Sequence, residues 1–288
     1  MGDFACDQEL SGSCDVSGLL QRPAKANIGA MKDPFLPEAL ERSLEWVREA
    51  GEGILGHFRT SLEVVKKRDN TPVTEADRGA ERFLRARILE AWPSHAVLGE
   101  EYGEDNAGAE WRWIIDPIDG TKAFIHGVPL FGTLLALFHQ GEPVLGIIHM
   151  PALSETVWAI QGGGAFLNGA PTHVSQVANL SDALLLDGSC TTVERSVWGD
   201  SWRKLRQEAS IQRGWGDCYG HLLVASGRAE AMLDPVVSIW DVAPMATILP
   251  EAGGRFTAID GRFTADAGNA LSTNAALHEQ ILSRLQGT

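Results

Sequence analysis

Hydrophobic positions early in the chain follow a helical pattern. Across residues 36–58, apolar or small side chains recur at steps of three and four with charged residues between them, and this spacing predicts an amphipathic helix. A second apolar stripe across residues 80–91 follows Thr74 and Asp77. A hydroxyl three residues ahead of a carboxylate is typical of a capped helix start. The pattern therefore predicts two helices, separated by a polar loop over residues 66–72.

Short apolar runs with turn residues between them come next. Ala96–Gly99 and Trp111–Ile115 predict two strands, and acidic residues follow each of them. Four further runs are separated by Gly-rich or Asn-Gly turns, which is typical of an antiparallel meander. These runs are Gly132–His139, Pro143–Met150, Thr156–Ile160 and Ala165–Leu167.

After about residue 185 the pattern predicts alternating strands and helices. Two of these helices, Cys218–Gly227 and Asp241–Ala252, are followed or closed by glycine. Residues 1–32 are rich in Gly and Ser and poor in large apolar side chains, which predicts a disordered leader. We therefore predict an α+β protein with a single compact domain over residues 33–288, built from two α+β halves of about 33–184 and 185–288.

Charge and cysteine content narrow the classes of function. The chain has 38 acidic and 24 basic residues, a formal net charge of −14, and this field repels nucleic acid. No apolar run approaches the roughly 20 residues that span a bilayer, so no membrane partner is expected. The four cysteines are scattered along the chain, and the sequence shows no secretory signal pattern. Both features predict free thiols in a reducing, cytoplasmic setting. An acidic protein that handles phosphate esters would need cations to bind them.

The densest chemical signal is an Asp-x-x-Asp motif after a predicted buried strand. Asp116 and Asp119 can converge on one point because Pro117 stiffens the turn between them. Mg2+ prefers such oxygen ligands, and the N–H groups of Gly120 and Thr121 could hold a phosphate at a helix start. The motif alone also fits two aspartates that merely cap a helix.

Three further carboxylates stand at the ends of predicted elements. Glu100 follows a strand, and Asp77 and Asp241 each lie at a helix start. Taken singly, each is as well explained by an N-cap or a solvated side chain. If all five acids met in one cleft, they would repel one another strongly without bound cations. Their joint occurrence therefore predicts a site for two or three metal ions.

These motifs together resemble the inositol monophosphatase superfamily. The resemblance rests on Glu100-Glu101, on the run from Asp116 to Thr121, on Trp240-Asp241 and on Glu251 to Gly254, and it extends from about Glu38 to Leu285. It implies the layered α/β/α/β/α sandwich of the inositol monophosphatase and fructose-bisphosphatase type. It also implies two or three Mg2+ ions, with Mn2+ as an alternative.

The resemblance also implies roles for individual residues. Glu100, Asp116, Asp119, Asp241 and the carbonyl of Ile118 would hold metal, and Asp77 would support a weaker metal through water. Thr121 would orient the attacking water with Glu100, and the N–H groups of Gly120 and Thr121 would hold the phosphate. Two-metal hydrolysis of a small phosphate monoester follows from this set.

The choice of substrate depends on other positions. Residues 217–220, Asp-Cys-Tyr-Gly, with residues 122–127 and 131–134, resemble the histidinol-phosphate phosphatases of this superfamily. Histidinol carries an amine and an imidazole, and Asp217 and Asp234 are the expected partners for these cations. Trp215, Tyr219 and His221 are interpreted as packing residues.

The sequence thus predicts a histidinol-phosphate phosphatase of histidine biosynthesis, acting as a homodimer on a small phosphate monoester. The alternatives are an inositol monophosphatase or broad-range sugar phosphatase, and a catalytically silent metal-binding homologue.

Overall fold

The computed structural model describes residues 35–60, 65–66 and 72–287 of the chain. The predicted leader, residues 1–32, lies outside the described residues. Helix α1 spans Phe35–His57 and α2 spans Glu75–Ala91, so both predicted helices are confirmed. Between them, β1 (Val65–Lys66) pairs antiparallel with β2 (Pro72–Val73).

The start of α2 illustrates how local sequence determines an element. The Thr74 hydroxyl accepts a hydrogen bond from the Ala76 N–H at 3.2 Å, and the Thr74 N–H donates to the Asp77 carboxylate at 2.7 Å. This capping box satisfies backbone groups that a helix start otherwise leaves unpaired. The predicted cap is therefore confirmed.

The first sheet has eight strands in the order β10-β9-β8-β7-β6-β5-β3-β4. All neighbours are antiparallel except β3 and β5, which are parallel, and the predicted meander is confirmed as β6 to β9. The strands are β3 Ala96–Gly99, β4 Gly103–Asp105, β5 Trp111–Asp119, β6 Gly132–His139, β7 Glu142–Met150, β8 Glu155–Ile160, β9 Gly164–Leu167 and β10 Ala170–Pro171.

Strand β5 is longer than the sequence pattern predicted. It runs to Asp119 instead of ending at Ile115, because Asp119 still pairs with Gly132 of β6. The register shifts between Asp116 and Asp119, where Pro117 offers no N–H to the ladder. Such an irregularity re-aims side chains along a strand. The two aspartates therefore lie within the end of a strand and not in the turn after it.

The second sheet has five strands in the order β12-β11-β13-β15-β14. Strand β11 is parallel to both its neighbours, and the other pairs are antiparallel. The strands are β11 Leu184–Asp187, β12 Ile211–Arg213, β13 Ala231–Asp234, β14 Gly254–Thr257 and β15 Ala270–Asn274. The remaining helices are α3 Thr121–Ile125, α4 Cys190–Arg195, α5 Gly199–Glu208, α6 Asp217–Ala225, α7 Ile239–Val242, α8 Met245–Glu251 and α9 His278–Gln286.

The prediction of one helix over Asp241–Ala252 was wrong in detail. The segment forms two short helices, α7 and α8, separated at Ala243-Pro244, because a proline cannot continue the hydrogen-bond ladder of the preceding turn. Asp241 consequently lies in the first turn of its own short helix, which Ser238 caps.

Three apolar clusters define the layers. Helices α1 and α2 pack on one face of the first sheet. Helices α6, α7 and α8 fill the space between the two sheets, and α5 and α9 cover the outer face of the second sheet. This is the predicted α/β/α/β/α sandwich. No helix in the described part of the chain has the length and apolar character needed to cross a bilayer.

Close contact between layers generates a stability prediction. Gly146 of β7 lies against the backbone of Pro244, and a Cβ built at Gly146 would stand 2.3 Å from the Pro244 carbonyl oxygen. We expect Gly146→Ala to force the two apart and to destabilise the protein by about 1–3 kcal/mol. Thermal unfolding should then show a melting temperature that is lower by several degrees.

Gly53→Ala is the matched control for this variant. Gly53 is an exposed position of α1, and a Cβ there meets nothing within 4 Å. Because alanine is the better helix former, by about 1 kcal/mol, this variant should be at least as stable as the original protein. An unchanged melting temperature for Gly146→Ala would contradict the prediction, because it would show that the layers can move apart without loss of stability.

Candidate active site

Three carboxylates meet where the first sheet faces the middle helices. Asp116 and Asp119 come from the end of β5, and Asp241 comes from the first turn of α7. One oxygen from each of the three lies within 4.8 Å of the others. The structure therefore brings together three of the predicted metal ligands from segments more than 120 residues apart, which we call the acidic triad.

Two members of the triad are held by neighbouring backbone. The Ser238 N–H donates to Asp241 Oδ2 at 2.7 Å, as part of the capping box of α7. The Cys218 N–H, at the start of α6, donates to Asp119 Oδ2. These bonds tie the triad to two helices of the middle layer, so its geometry depends on how that layer packs.

Burial and mutual repulsion dominate the electrostatics of the triad. Burial raises the pKa of Asp116 well above its usual value, and Glu100, Asp119 and Asp241 raise it further. Burial also raises the pKa of Asp241 to about 6, against the opposing hydrogen bond from Ser238. Burial and like charge therefore both disfavour three ionised carboxylates at this point.

The triad fits a hard divalent cation. Among the described residues, the buried Oδ1 atom of Asp116 has no hydrogen-bond partner, and a buried polar atom without a partner is costly. A cation would supply that missing partner and would offset the repulsion among the carboxylates. Carboxylate oxygens are also the ligands that Mg2+ prefers.

Glu100 and Asp77 lie beside the triad but outside its closest contacts. The Glu100 N–H donates to the Ile115 carbonyl at 3.3 Å, which places Glu100 next to β5, and both carboxylates raise the pKa of Asp116. The Asp77 carboxylate also accepts bonds from the N–H and hydroxyl of Thr74, at 2.7 and 2.6 Å. Asp77 thus caps a helix and faces the triad at once.

The Gly120-Thr121 step is tightly constrained. Gly120 has φ +81°, and a Cβ there would stand 2.8 Å from the Leu130 carbonyl oxygen, so only glycine fits without strain. The Thr121 hydroxyl donates to the Ile118 carbonyl at 3.0 Å. That carbonyl retains a second lone pair for another partner.

A small cavity of about 60 Å³ opens beside the triad. Its walls carry four carboxylates and two valines: Asp119, Asp217, Asp234, Val236, Val237 and Asp241. Asp217 and Asp234 therefore lie in the same cavity as two members of the triad. The two valines were not among the predicted site residues, since nothing in an isolated Val-Val pair distinguishes a cavity wall from a core.

Asp217 occupies a strained position in this wall. It has φ +53°, a left-handed conformation that is uncommon for a residue other than glycine, and Gly216 instead of Asp217 is the N-cap of α6. Although the residue as a whole is exposed, surrounding protein crowds its carboxylate. This burial and the nearby Asp234 raise the pKa of Asp217, while Lys122 and His221 lower it.

His221 has polar contacts that the sequence pattern did not predict. It is buried on α6, as expected of a packing residue, but its Nε2 lies 3.0 Å from Asp234 Oδ2 and its Nδ1 lies 2.7 Å from the Ser272 hydroxyl. The sequence feature that could have indicated this role is the position of His221 four residues after Asp217, on the same helix face.

Comparison with known proteins agrees with this geometry. Residues 36–287 match the inositol monophosphatase family. A histidinol-phosphatase of Chlorobaculum parvum is 45% identical over 243 residues, covering 82% of this chain and 94% of the relative. A histidinol-phosphatase of Streptomyces coelicolor is 41% identical, covering 78% and 87%. The solved structure of a Thermotoga maritima IMPase superimposes with a TM-score of 0.80 at 31% identity, covering 87% and 97%.

Repulsion within the triad generates a stability prediction. A carboxyl group whose pKa is raised by folding supports stability at low pH and loses that support as the pH rises through the raised value. Asp116 is such a group. In chelator-treated protein at pH 7, Asp116→Asn should therefore increase the free energy of unfolding by about 1–2 kcal/mol. A thermal unfolding experiment should show this gain as a higher melting temperature. The gain should vanish below the ordinary aspartate pKa of 3.8, where the original carboxyl is protonated in both states.

Asp187→Asn is the matched control, because Asp187 is equally buried but paired. Its Oδ2 accepts from Trp202 Nε1 at 2.9 Å and from Arg206 at 3.0 Å. Neutralising it leaves Arg206 without its charged partner, so the melting temperature should fall. A similar fall for both variants would contradict the repulsion argument.

Proposed function

The chain belongs to the inositol monophosphatase family, and on that basis we propose that it is a Mg2+-dependent histidinol-phosphatase. The family acts on small phosphate monoesters, and this chain is a phosphoric monoester hydrolase. The proposed reaction adds water to the phosphorus of histidinol phosphate and breaks the ester bond, which releases histidinol and phosphate.

The observation that carries the choice of substrate is the distribution of charge in the cavity. Its lining includes Asp119 and Asp241 of the triad together with two further carboxylates, Asp217 and Asp234. A cation at the triad suits the phosphate, whereas two further carboxylates suit a leaving group with positive charge. Histidinol has an amine and an imidazole, and both can be cationic. The relatives named histidinol-phosphatase support the same choice.

We assign metal binding to the triad together with Glu100 and the Ile118 carbonyl. Two or three Mg2+ ions are proposed, with Asp77 supporting the weaker one through water. When bound, Mg2+ supplies Lewis acidity that activates water and offsets the negative charge of the transferring phosphate. The orphaned Oδ1 of Asp116 and the all-oxygen donor set support this assignment.

The chain's own groups position water and phosphate. Because the Thr121 hydroxyl donates its proton to the Ile118 carbonyl, its oxygen lone pairs are left to accept a bond from the attacking water. We propose that Glu100 accepts a second bond from this water and assists loss of its proton. The N–H groups of Gly120 and Thr121 would hold phosphate oxygens, and Asp217 and Asp234 would hold the cationic end of the substrate.

Phosphate release from two substrates tests the proposal. With Mg2+, we expect kcat/KM for histidinol phosphate to exceed that for inositol 1-phosphate by about 100-fold or more, since each charge-assisted bond contributes about 1.5–3 kcal/mol. Excess chelator should abolish activity and added Mg2+ should restore it.

Each alternative has a distinct result in this assay. Faster hydrolysis of inositol 1-phosphate would favour the inositol or sugar phosphatase. No phosphate release from either substrate with Mg2+ or Mn2+ would favour a catalytically silent homologue. Full activity in chelator would contradict the metal mechanism.

The role of Asp217 gives a separate prediction. Asp217→Asn removes one charge from the cavity wall, so the ratio of kcat/KM for histidinol phosphate to that for p-nitrophenyl phosphate should fall roughly 10- to 150-fold. The ratio is the informative quantity because p-nitrophenyl phosphate has no cationic group. Steady-state kinetics on both substrates measure it.

Asp182→Asn serves as the control for this change. Asp182 is an exposed carboxylate that does not line the cavity, so removing its charge should leave the ratio unaltered. If Asp217→Asn lowered both rates equally, Asp217 would maintain the site and would not recognise the substrate.

Three sequence-based predictions stay predictions. They are the single domain over residues 33–288, the homodimeric assembly and the cytoplasmic location. We include them in the proposal because they agree with a small-molecule biosynthetic enzyme.

A further inference from the structure

A buried histidine lies directly behind the acidic wall of the cavity. His221 of α6 is 1% exposed and connects two strands of the second sheet. Its Nε2 contacts Asp234 at the end of β13, at 3.0 Å, and its Nδ1 contacts Ser272 of β15, at 2.7 Å. Ser272 itself is fully buried, so this contact anchors the ring inside the protein.

The chemistry of the two partners determines the proton positions on the ring. An ionised carboxylate only accepts hydrogen bonds, so His221 Nε2 carries the proton and donates it to Asp234. In a neutral ring, Nδ1 is then an acceptor, and the Ser272 hydroxyl donates to it. Both ring nitrogens are satisfied in this tautomer, which holds the Asp234 carboxylate in one orientation.

With Oδ2 committed to His221, the other oxygen of Asp234 faces a gap beside Gly188. A Cβ built at Gly188 would lie 3.4 Å from Asp234 Oδ1 and 3.8 Å from Asp217 Oδ1. The Oδ1 atoms of the two carboxylates thus converge where a side chain at position 188 would stand. Because glycine has no Cβ, residue 188 leaves a methyl-sized gap beside these two oxygens, which the Asp217 backbone nitrogen also borders at 3.8 Å.

We infer that His221 is a positioning residue for substrate recognition. With Ser272, it orients Asp234 so that Asp234 Oδ1 and Asp217 Oδ1 face the same gap and bind one cationic group of the substrate there. This inference rests on the proposed function and deepens it, because it names the place of cation binding and the residues that prepare it.

A second buried histidine, on α9 and packed against the same sheet, shows which contacts packing alone provides. His278 is 3% exposed and lies near two hydroxyls, with Thr273 Oγ1 at 2.8 Å from its Nδ1 and Thr257 Oγ1 at 3.4 Å from its Nε2. Neither hydroxyl lines the cavity. His221 differs in having a carboxylate of the cavity wall as one of its partners.

The test compares His221→Leu, His221→Gln and Ser272→Ala with the control His278→Leu. Leu fills similar space without a donor, whereas the Gln amide can still donate to Asp234 from near the Nε2 position. Each variant is assayed with Mg2+ for kcat and KM on histidinol phosphate and on p-nitrophenyl phosphate, and its melting temperature is measured.

We expect His221→Leu to lower the kcat/KM ratio of the two substrates about tenfold, mainly through a higher KM for histidinol phosphate. His221→Gln should restore the ratio to within about threefold of the original, and Ser272→Ala should lower it by about threefold. His278→Leu should lower the melting temperature and leave the ratio unchanged.

A folded His221→Leu protein with an unchanged ratio, or with equal losses on both substrates, would overturn the inference and leave the proposed function standing. If that variant does not fold, an unchanged ratio in Ser272→Ala overturns the inference instead. If the original protein does not hydrolyse histidinol phosphate, the proposed function fails and the inference fails with it.

Discussion

Repulsion among Asp116, Asp119 and Asp241 is the constraint on which the site depends. Each of the three is crowded by protein, and their oxygens lie within 4.8 Å of one another. Burial and like charge both oppose ionisation, so the triad cannot stabilise the fold by itself at neutral pH. The apolar clusters on both faces of the first sheet must hold it together until a cation balances its charge.

The two sheets contribute different halves of the cavity. The first half of the chain, together with α7, supplies the groups assigned to metal and phosphate, while α6 and β13 of the second half supply Asp217 and Asp234. The Cys218 N–H joins the two parts, because it donates to Asp119 from the residue next to Asp217. A change in how α6 packs would therefore alter metal binding and substrate recognition together.

Short-range features of this fold could be predicted from sequence, and long-range ones could not. The capping box of Thr74 and Asp77 lies within four residues, and the meander follows from alternating apolar runs and turns. The extension of β5 to Asp119 depends on pairing with Gly132 of the next strand. The apolar pattern that ends before Asp116 carries no information about this pairing. The contacts of His221 depend on Asp234 and on Ser272, 51 residues away, and only the packing of α6 onto the second sheet brings them together.

The left-handed backbone at Asp217 has an evolutionary consequence. A residue other than glycine in this conformation costs of the order of 1 kcal/mol, and Asp217 has φ +53° while its carboxylate is also crowded by Asp234. Glycine would relieve both penalties but would remove the charged group from the cavity. Selection for stability and selection for substrate specificity therefore act in opposite directions at this position. In a relative that no longer needs this specificity, residue 217 would be among the first residues to change.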